Sequence, residues 1–169
     1  MARPDDPPAN GRADEIEAFW LDYQRHGKVE VEGFAAAALG PTRALADEIA
    51  LLVRNGVKRA HATLKREFEQ DLEPLPGPGD HLVVLDGAGH PRAIVRNSHV
   101  ELRHFNQIDD EFAFAAGEGD LTLQWWLVAH RQQWSEQAER EGFEIGERSE
   151  LVLEYFDLVW PQPESAAQA

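Results

Sequence analysis

Apolar residues recur at helical spacing in the first third of the chain. Those between Ile16 and Tyr23 share one face of a helix, and Asp14 stands just before them as a candidate N-cap. A second helical pattern runs through "PTRALADEIALLVRNG", with Pro41 near its start and Gly56 just past its end. This placement of proline and glycine is typical of helix boundaries. The sequence therefore predicts two helices before the middle of the chain.

The second half of the chain has the pattern of strands. "HLVVLD" is a short apolar run that ends at the turn "DGAGHP", and polar and apolar residues alternate in part of "RAIVRNSHVELRHF". These two segments predict an antiparallel hairpin. The later segment "ELVLEYFDLVW" is apolar on both faces in places, which predicts a central strand.

One more helix is predicted between these strands. Asp120 can cap it, and the residues that follow place an apolar stripe on one face: Leu123, Trp126, Leu127, His130 and Trp134. A histidine on such a stripe indicates a hydrogen-bonded core residue. The elements together predict an α+β domain, with helices first, then a small strand-rich core and a helix inserted before the last strand.

The length of 169 residues suits one domain with its own hydrophobic core. Residues 1–13 and 161–169 are rich in proline and polar residues and predict disordered tails, which leaves 14–160 as the folded domain. The N-terminus has no apolar run, and no segment approaches the roughly 20 apolar residues that span a bilayer. We therefore expect a soluble, cytoplasmic protein with no membrane partner. Nothing in the sequence indicates an oligomeric state.

Composition excludes several kinds of chemistry. The chain has no cysteine, which excludes disulfides, cysteine-based zinc sites and thiol catalysis. His81, His90, His99 and His104 form no HExxH or other paired ligand motif, so we expect neither a metal nor another cofactor. The formal net charge of −15 opposes broad, non-specific binding to nucleic acid. A local basic pocket is compatible with this charge, because salt limits the reach of distant charges to about 8 Å.

The stretch "GVKRAHATLKR" is basic and contains no acidic residue. Lys58 and Arg59 follow a predicted helix end, where cations complement the helix dipole, while Lys65 and Arg66 fit a solvated surface. Spacing alone favours that explanation. The alternative is that the stretch forms one wall of a ligand cleft.

Two features of the sequence support the cleft. His61 and Thr63 share one face of a strand, because side chains alternate along a strand, and Lys58 can project towards the same side. In "GEGDLTLQWW", Glu118 lies between two glycines that permit close approach of a small polar ligand, whereas Asp120 is best explained as the helix cap.

Trp125 and Trp126 are adjacent and therefore face different ways on a helix. One of them belongs to the core. The other can line a groove or stack on a base.

These pieces, taken in order, resemble the ASCH domain superfamily. The resemblance rests on a G-x-K motif, a Gly-Asp before a strand, an F-x-x-I motif, and a G-E-G-D-x-(S/T)-L segment followed by tryptophan and histidine. It covers about residues 14–160. It implies a PUA-like small β-barrel of mostly antiparallel strands, with a cleft between the G-x-K segment and the helix after G-E-G-D.

Members of this superfamily have been assigned RNA binding, ribonuclease activity, or hydrolysis of the acetyl amide of N4-acetylcytidine. In the amidohydrolase-type members, the G-x-K lysine, a threonine three residues later and a carboxylate form the catalytic set. Lys58 matches the lysine and Glu118 the carboxylate, but His61 stands where the threonine is expected, and Thr63 is a substitute on the same strand face. We therefore predict catalytic roles for Lys58, His61, Thr63 and Glu118, of which the resemblance supports Lys58 and Glu118. We also predict substrate contacts from Arg59, Lys65, Asp120 and Trp125.

Two chemical schemes fit these residues. A desolvated Lys58 can act as a base that activates Thr63 or a water towards an amide carbonyl, with Glu118 protonating the leaving amine. Alternatively, His61 is the acid or base while Lys58 and Arg59 hold a phosphate, which suits RNA cleavage.

Three functions remain open at this point. The first is a small hydrolase that acts on a modified cytidine or on RNA. The second is a non-catalytic module that binds RNA or a nucleotide. The third, a protein-interaction domain, has support mainly from the acidic surface and the tails.

Overall fold

The structure is a computed structural model that describes residues 1–31 and 33–162. Helix α1 spans Ala13–Gly27 and buries Ile16, Trp20 and Tyr23 on one face, as the pattern predicted. The prediction that Asp14 caps it is wrong, because the helix begins one residue earlier and Arg12 holds the cap position. Asp14 lies instead in the first turn, where a carboxylate complements the positive end of the helix dipole.

Helix α2 spans Arg43–Arg54 and confirms the second helical pattern. The Thr42 hydroxyl accepts a hydrogen bond from the Leu45 backbone N–H at 3.2 Å, which caps the helix. Gly56 follows the helix with a positive φ of 74°, a conformation that glycine adopts without strain.

Five strands form one curled, mixed sheet. They are β1 (Ala35–Ala38), β2 (Ala60–Leu64), β3 (His81–Leu85), β4 (Pro91–His104) and β5 (Glu150–Trp160). Their order in the sheet is β1-β3-β4-β5-β2; β1 pairs with β3 in parallel, and the other three pairs are antiparallel. The predicted hairpin is β3–β4, and β5 lies between β4 and β2 as a central strand.

The remaining helices connect or cover the strands. They are α3 (Lys65–Gln70), α4 (Asp110–Ala116) and α5 (Leu123–Glu141), with a short 3-10 turn at Phe105–Gln107. Helix α5 is the predicted inserted helix, but Thr122 caps it by accepting from Trp125 N–H at 3.2 Å. The prediction that Asp120 is the cap is therefore wrong. The Asp120 carboxylate accepts a hydrogen bond from the Thr122 backbone N–H at 3.0 Å, so it contacts the cap residue and not the first turn of the helix.

The fold is α+β, and the sheet curls into a half-barrel that is consistent with the PUA-like fold. Helices α4 and α5 cover one part of the sheet, α2 a second and α1 a third, each over its own cluster of buried residues. Strands β1 and β2 form the two edges of the sheet. The opening between them is where the candidate site lies.

The two predicted tails differ in how much of each the structure describes. Residues 1–12 contain no helix or strand, yet Asp6 C=O accepts from Arg43 N–H at 2.7 Å and Ala9 N–H donates to Gly87 C=O at 2.9 Å. Most of the predicted tail 161–169 lies outside the described residues. The domain boundaries stay a prediction. Within the described ranges, none of the helices combines the length and apolar content needed to cross a membrane.

Candidate functional site

A cavity of about 570 Å³ lies where the half-barrel opens between β1 and β2, with α3 and α5 as further walls. Its volume falls within the range of small-molecule sites, about 300–1,000 Å³. The lining includes six carboxylate side chains and, among the residues described, no lysine or arginine. The six are Glu67, Asp71, Glu73, Asp80, Glu118 and Glu154.

A buried ion pair stands behind one wall of this cavity. Lys58 Nζ lies 2.9 Å from Glu118 Oε2 and donates a second hydrogen bond to Ala116 C=O at 3.1 Å. The Lys58 side chain is 0% exposed and that of Glu118 is 8% exposed. Glu118 lines the cavity, whereas Lys58 lies behind Glu118 and does not line the cavity. The structure thus brings together two residues that lie sixty positions apart in sequence.

The backbone at Gly117 makes this approach possible. Gly117 ends α4 with a positive φ of 72°, and a Cβ at this position would lie 2.5 Å from Val57 C=O and 2.7 Å from Lys58 Cα. Any side chain there would push the two segments apart. A backbone hydrogen bond from Arg59 N–H to Ala115 C=O at 2.7 Å fixes the same contact.

Burial governs the protonation of Lys58. Desolvation lowers the pKa of Lys58 below its usual value, and the Glu118 charge and hydrogen bond oppose this shift. The burial that removes water from both groups also strengthens their attraction. The carboxylate is therefore held in one place by a partner that has no contact with solvent.

His61 and Thr63 point into the cavity from β2, between the buried Ala60, Ala62 and Leu64. The Nδ1 atom of His61 is buried and has no hydrogen-bond partner among the described residues. Burial lowers the pKa of His61 well below 6.5, and the nearby charges of Lys58 and His130 lower it further. The imidazole is therefore neutral at physiological pH.

His130 joins the same cluster from α5. Its Nδ1–H donates to Trp126 C=O at 2.9 Å, and its ring stacks on Trp126 with centroids 4.0 Å apart. Nε2 is then the acceptor nitrogen of a neutral ring. Burial lowers the pKa of His130, while the Glu118 charge opposes the shift. The sequence predicted a hydrogen-bonded core residue, and the structure adds that the residue lines the cavity.

Four residues that the sequence analysis predicted as substrate contacts lie outside the cavity lining. Arg59 is exposed beside the Phe114 ring, and Lys65 pairs with Glu150 at 3.1 Å on the surface. Asp120 holds the start of α5, and Trp125 covers Gly119. We therefore leave Arg59, Lys65, Asp120 and Trp125 out of the proposed site. Of the basic stretch, Lys58 alone turns inward.

Sequence reasoning missed a second polar group in the cavity. Asn97 on β4 donates from Nδ2 to Glu154 Oε2 on β5 at 2.8 Å. Both residues line the cavity, across the sheet from α5. Alternation along β4 and β5 marks which residues share a face, but it does not indicate which face borders a cavity.

The arrangement offers acid–base groups rather than metal ligands. In the described ranges, no group of three or more histidine and acidic side chains could hold a metal ion. The cavity combines a fixed carboxylate, the imidazoles of His61, His81 and His130, and the Thr63 hydroxyl. Such a set can move protons and donate hydrogen bonds to a bound ligand.

We predict that Lys58→Met lowers the free energy of unfolding by about 3–5 kcal/mol, because it leaves the Glu118 carboxylate buried without its cation. The double variant Lys58→Met/Glu118→Gln removes the charge and should recover a large part of this loss. Urea unfolding followed by circular dichroism measures both. Equal stability of the single and double variants would contradict the buried pair.

We also predict that His61 makes stability depend on pH. Its pKa is lower in the folded protein than in the unfolded chain, so below about pH 6.5 the unfolded chain binds one more proton. The free energy of unfolding therefore falls as the pH falls below about 6.5. His61→Gln removes this titrating group. It should lower the slope of the unfolding free energy against pH by up to about 1.4 kcal/mol per pH unit. Parallel curves for the two proteins would show that His61 is not buried in neutral form.

Comparisons with known proteins agree with the fold. A family model described as ASCH domain matches residues 35–160. An ASCH domain from Lactobacillus crispatus JV V101 is 32% identical, with a TM-score of 0.78 over 86% of this chain and 94% of that chain. A crystal structure of an Enterococcus faecalis V583 protein shows the same fold, at 24% identity and a TM-score of 0.79, over 88% of this chain and 92% of that chain. No curated protein matches the chain.

The match extends over most of the chain and over the segments that carry the Lys58–Glu118 pair. ASCH domains are generally associated with RNA binding. The resemblance seen in the sequence motifs is confirmed, and the chain belongs to the ASCH domain family.

Proposed function

We propose that the protein binds a nucleoside in the cavity, either free or as an unpaired residue of RNA, and hydrolyses an acyl amide on its base, as in N4-acetylcytidine. The observation that carries this proposal is the Lys58–Glu118 pair, which holds a carboxylate at the wall of a cavity that the neutral His61 also lines. The association of the family with RNA supports a nucleoside as the ligand.

The charge of the cavity favours amide hydrolysis over RNA cleavage. A ribonuclease site must hold a phosphate, and six carboxylates line this cavity with no lysine or arginine among its described lining residues. Lys58 is already neutralised by Glu118, and Arg59 lies outside. An uncharged nucleoside meets no such repulsion.

The proposed chemistry assigns one role to each group. Glu118 accepts a proton from a water molecule as the oxygen of that water attacks the amide carbonyl. The neutral His61 and the Thr63 hydroxyl donate hydrogen bonds to the oxyanion that develops, a role that a histidine fulfils only with an N–H available. Glu118 then returns the proton to the departing nitrogen as the C–N bond breaks. Cytidine and acetic acid are released, and the acid loses its proton to solvent to become acetate.

Lys58 has no exposed side-chain surface, so we assign it to positioning Glu118 rather than to contact with substrate. Its ammonium donates a hydrogen bond to the carboxylate at 2.9 Å and holds it in a single orientation. This differs from the role as a base that the first chemical scheme gave to Lys58. Lys58 remains essential in both schemes.

We predict that Glu118→Gln lowers kcat for N4-acetylcytidine by about 10²–10⁴, because the amide cannot accept the proton. The Kd should change only a few-fold, since glutamine keeps the shape and an acceptor for Lys58. Acetate release measures turnover, and calorimetry measures binding. Glu17→Gln is the matched control, since it removes an exposed carboxylate of α1 outside the cavity lining and should keep wild-type turnover.

The other outcomes of this experiment separate the candidate functions. Turnover by Glu118→Gln at the wild-type rate would contradict the proposed chemistry. Binding by the wild-type protein with no turnover would support the non-catalytic binding module, which the histidine at position 61 already leaves open. Neither binding nor turnover would contradict the nucleoside site itself.

We predict that a 5′-phosphate on the same nucleoside lowers kcat/KM about tenfold at low salt, because its charge faces several carboxylates. Screening should narrow the difference as salt rises, while the rate with the neutral nucleoside changes little. The double variant Asp71→Asn/Glu73→Gln removes two of these charges and should reduce the discrimination. Faster turnover of the phosphorylated substrate would favour an RNA phosphate site instead.

A further inference from the structure

The pair formed by Asn97 and Glu154 has no part in the proposed chemistry, yet it occupies the wall of the same cavity. Asn97 is 4% exposed, and its Nδ2 donates to Glu154 Oε2 at 2.8 Å. Burial raises the pKa of Glu154, and the nearby charge of Asp80 raises it further, while the Asn97 hydrogen bond opposes the shift. Partial burial of a carboxyl group costs the fold free energy, and the Asn97 hydrogen bond offsets part of that cost.

The strand register places this pair beside the proposed reaction centre. Glu154 on β5 is the direct partner of His61 on β2. The β4–β5 register shifts between Asn97 and His99, an irregularity that lets a strand redirect a side chain. A ligand whose acyl group reaches Glu118 and His61 therefore extends across β5 towards Asn97.

The chemistry of the pair matches the edge of a base. Asparagine offers a second Nδ2 hydrogen beyond the one bound to Glu154, and the carboxylate offers an acceptor oxygen. A cytosine-type base places an N–H on N4 next to the acceptor N3, and N4 keeps one hydrogen when it is acylated. Uracil presents the opposite order, with an acceptor at O4 and a donor at N3. Carboxylates accept hydrogen bonds from N4 of cytosine in nucleic-acid recognition.

We propose that Asn97 and Glu154 are specificity-determining residues, in which Glu154 accepts from N4–H and Asn97 donates to N3 of a cytosine-type nucleoside. This inference rests on the proposed function, since it names the base that the same cavity selects. A uridine would direct O4 at the carboxylate and N3–H at the amide hydrogens. The Glu154 carboxylate and the Asn97 amide would then lack hydrogen-bond partners, which strongly disfavours the binding of uridine.

The test compares cytidine with uridine in binding to the full chain by calorimetry. The wild-type protein should prefer cytidine about tenfold or more, the usual discrimination of a two-bond base contact. Glu154→Gln presents donor hydrogens to O4 and should bring the ratio close to one. Asn97→Ala is the second variant and should also reduce the ratio. Glu17→Gln, at an exposed position of α1 outside the cavity lining, should keep the wild-type ratio.

A parallel kinetic comparison separates base reading from catalysis. Glu154→Gln should lower kcat/KM for N4-acetylcytidine about tenfold or more. It should leave the slow hydrolysis of acetanilide, an aryl acetamide without a base edge, within about twofold of the wild-type rate. A loss of the same size on both substrates would indicate a structural or catalytic role and overturn the inference.

The remaining outcomes distinguish this inference from the proposed function. Hydrolysis of N4-acetylcytidine with a cytidine-to-uridine ratio unchanged in both variants overturns base reading and leaves the hydrolase intact. A cytidine preference that depends on Glu154, without any hydrolysis, supports base reading and overturns the hydrolase. Failure of the wild-type protein to bind either nucleoside overturns both.

Discussion

The candidate site depends on one buried ion pair between two segments that lie far apart in the chain. Lys58 and Glu118 meet at 2.9 Å because a glycine at position 117 lets α4 end against the segment that leads into β2. Burying two charges is costly, and their attraction compensates only when the geometry is good. The ion pair nevertheless lies at the wall of the cavity, where Glu118 lines it. Such placement is typical of groups kept for chemistry rather than for stability.

The orientation of four cationic side chains explains why an acidic protein contains one basic stretch. Lys65 and Arg66 pair with surface carboxylates, and Arg59 stays outside, so the stretch presents no continuous track for a phosphate backbone. Lys58 alone turns inward, and Glu118 neutralises it. The cavity is therefore acidic where it is open, which favours the uncharged part of a nucleic acid over its backbone. This contrast is the reason why we propose amide hydrolysis rather than RNA cleavage.

The sequence predicted the larger elements because they carry long, regular patterns. Helices α1, α2 and α5 and the β3–β4 hairpin follow from periodicity, whereas β1 consists of four alanines, which have low strand propensity and form a strand only by pairing with β3. Both helix caps assigned to aspartates were wrong, because Arg12 and Thr122 hold those positions. The motif resemblance singled out Lys58 and Glu118. It could not indicate Asn97, Glu154 or the cavity side of His130, since these become neighbours only after the sheet curls.

The charge of the cavity lining also bears on how a turnover ends. The hydrolysis that we propose releases a neutral nucleoside and acetic acid, which ionises to acetate, inside a space bordered by six carboxylates. The described part of the lining has no lysine or arginine to retain the anion, so the carboxylates repel it towards solvent. Product inhibition by acetate should then be weak, and departure of the nucleoside becomes the slower exit. The acidic lining that disfavours anionic ligands thus also favours release of the anionic product.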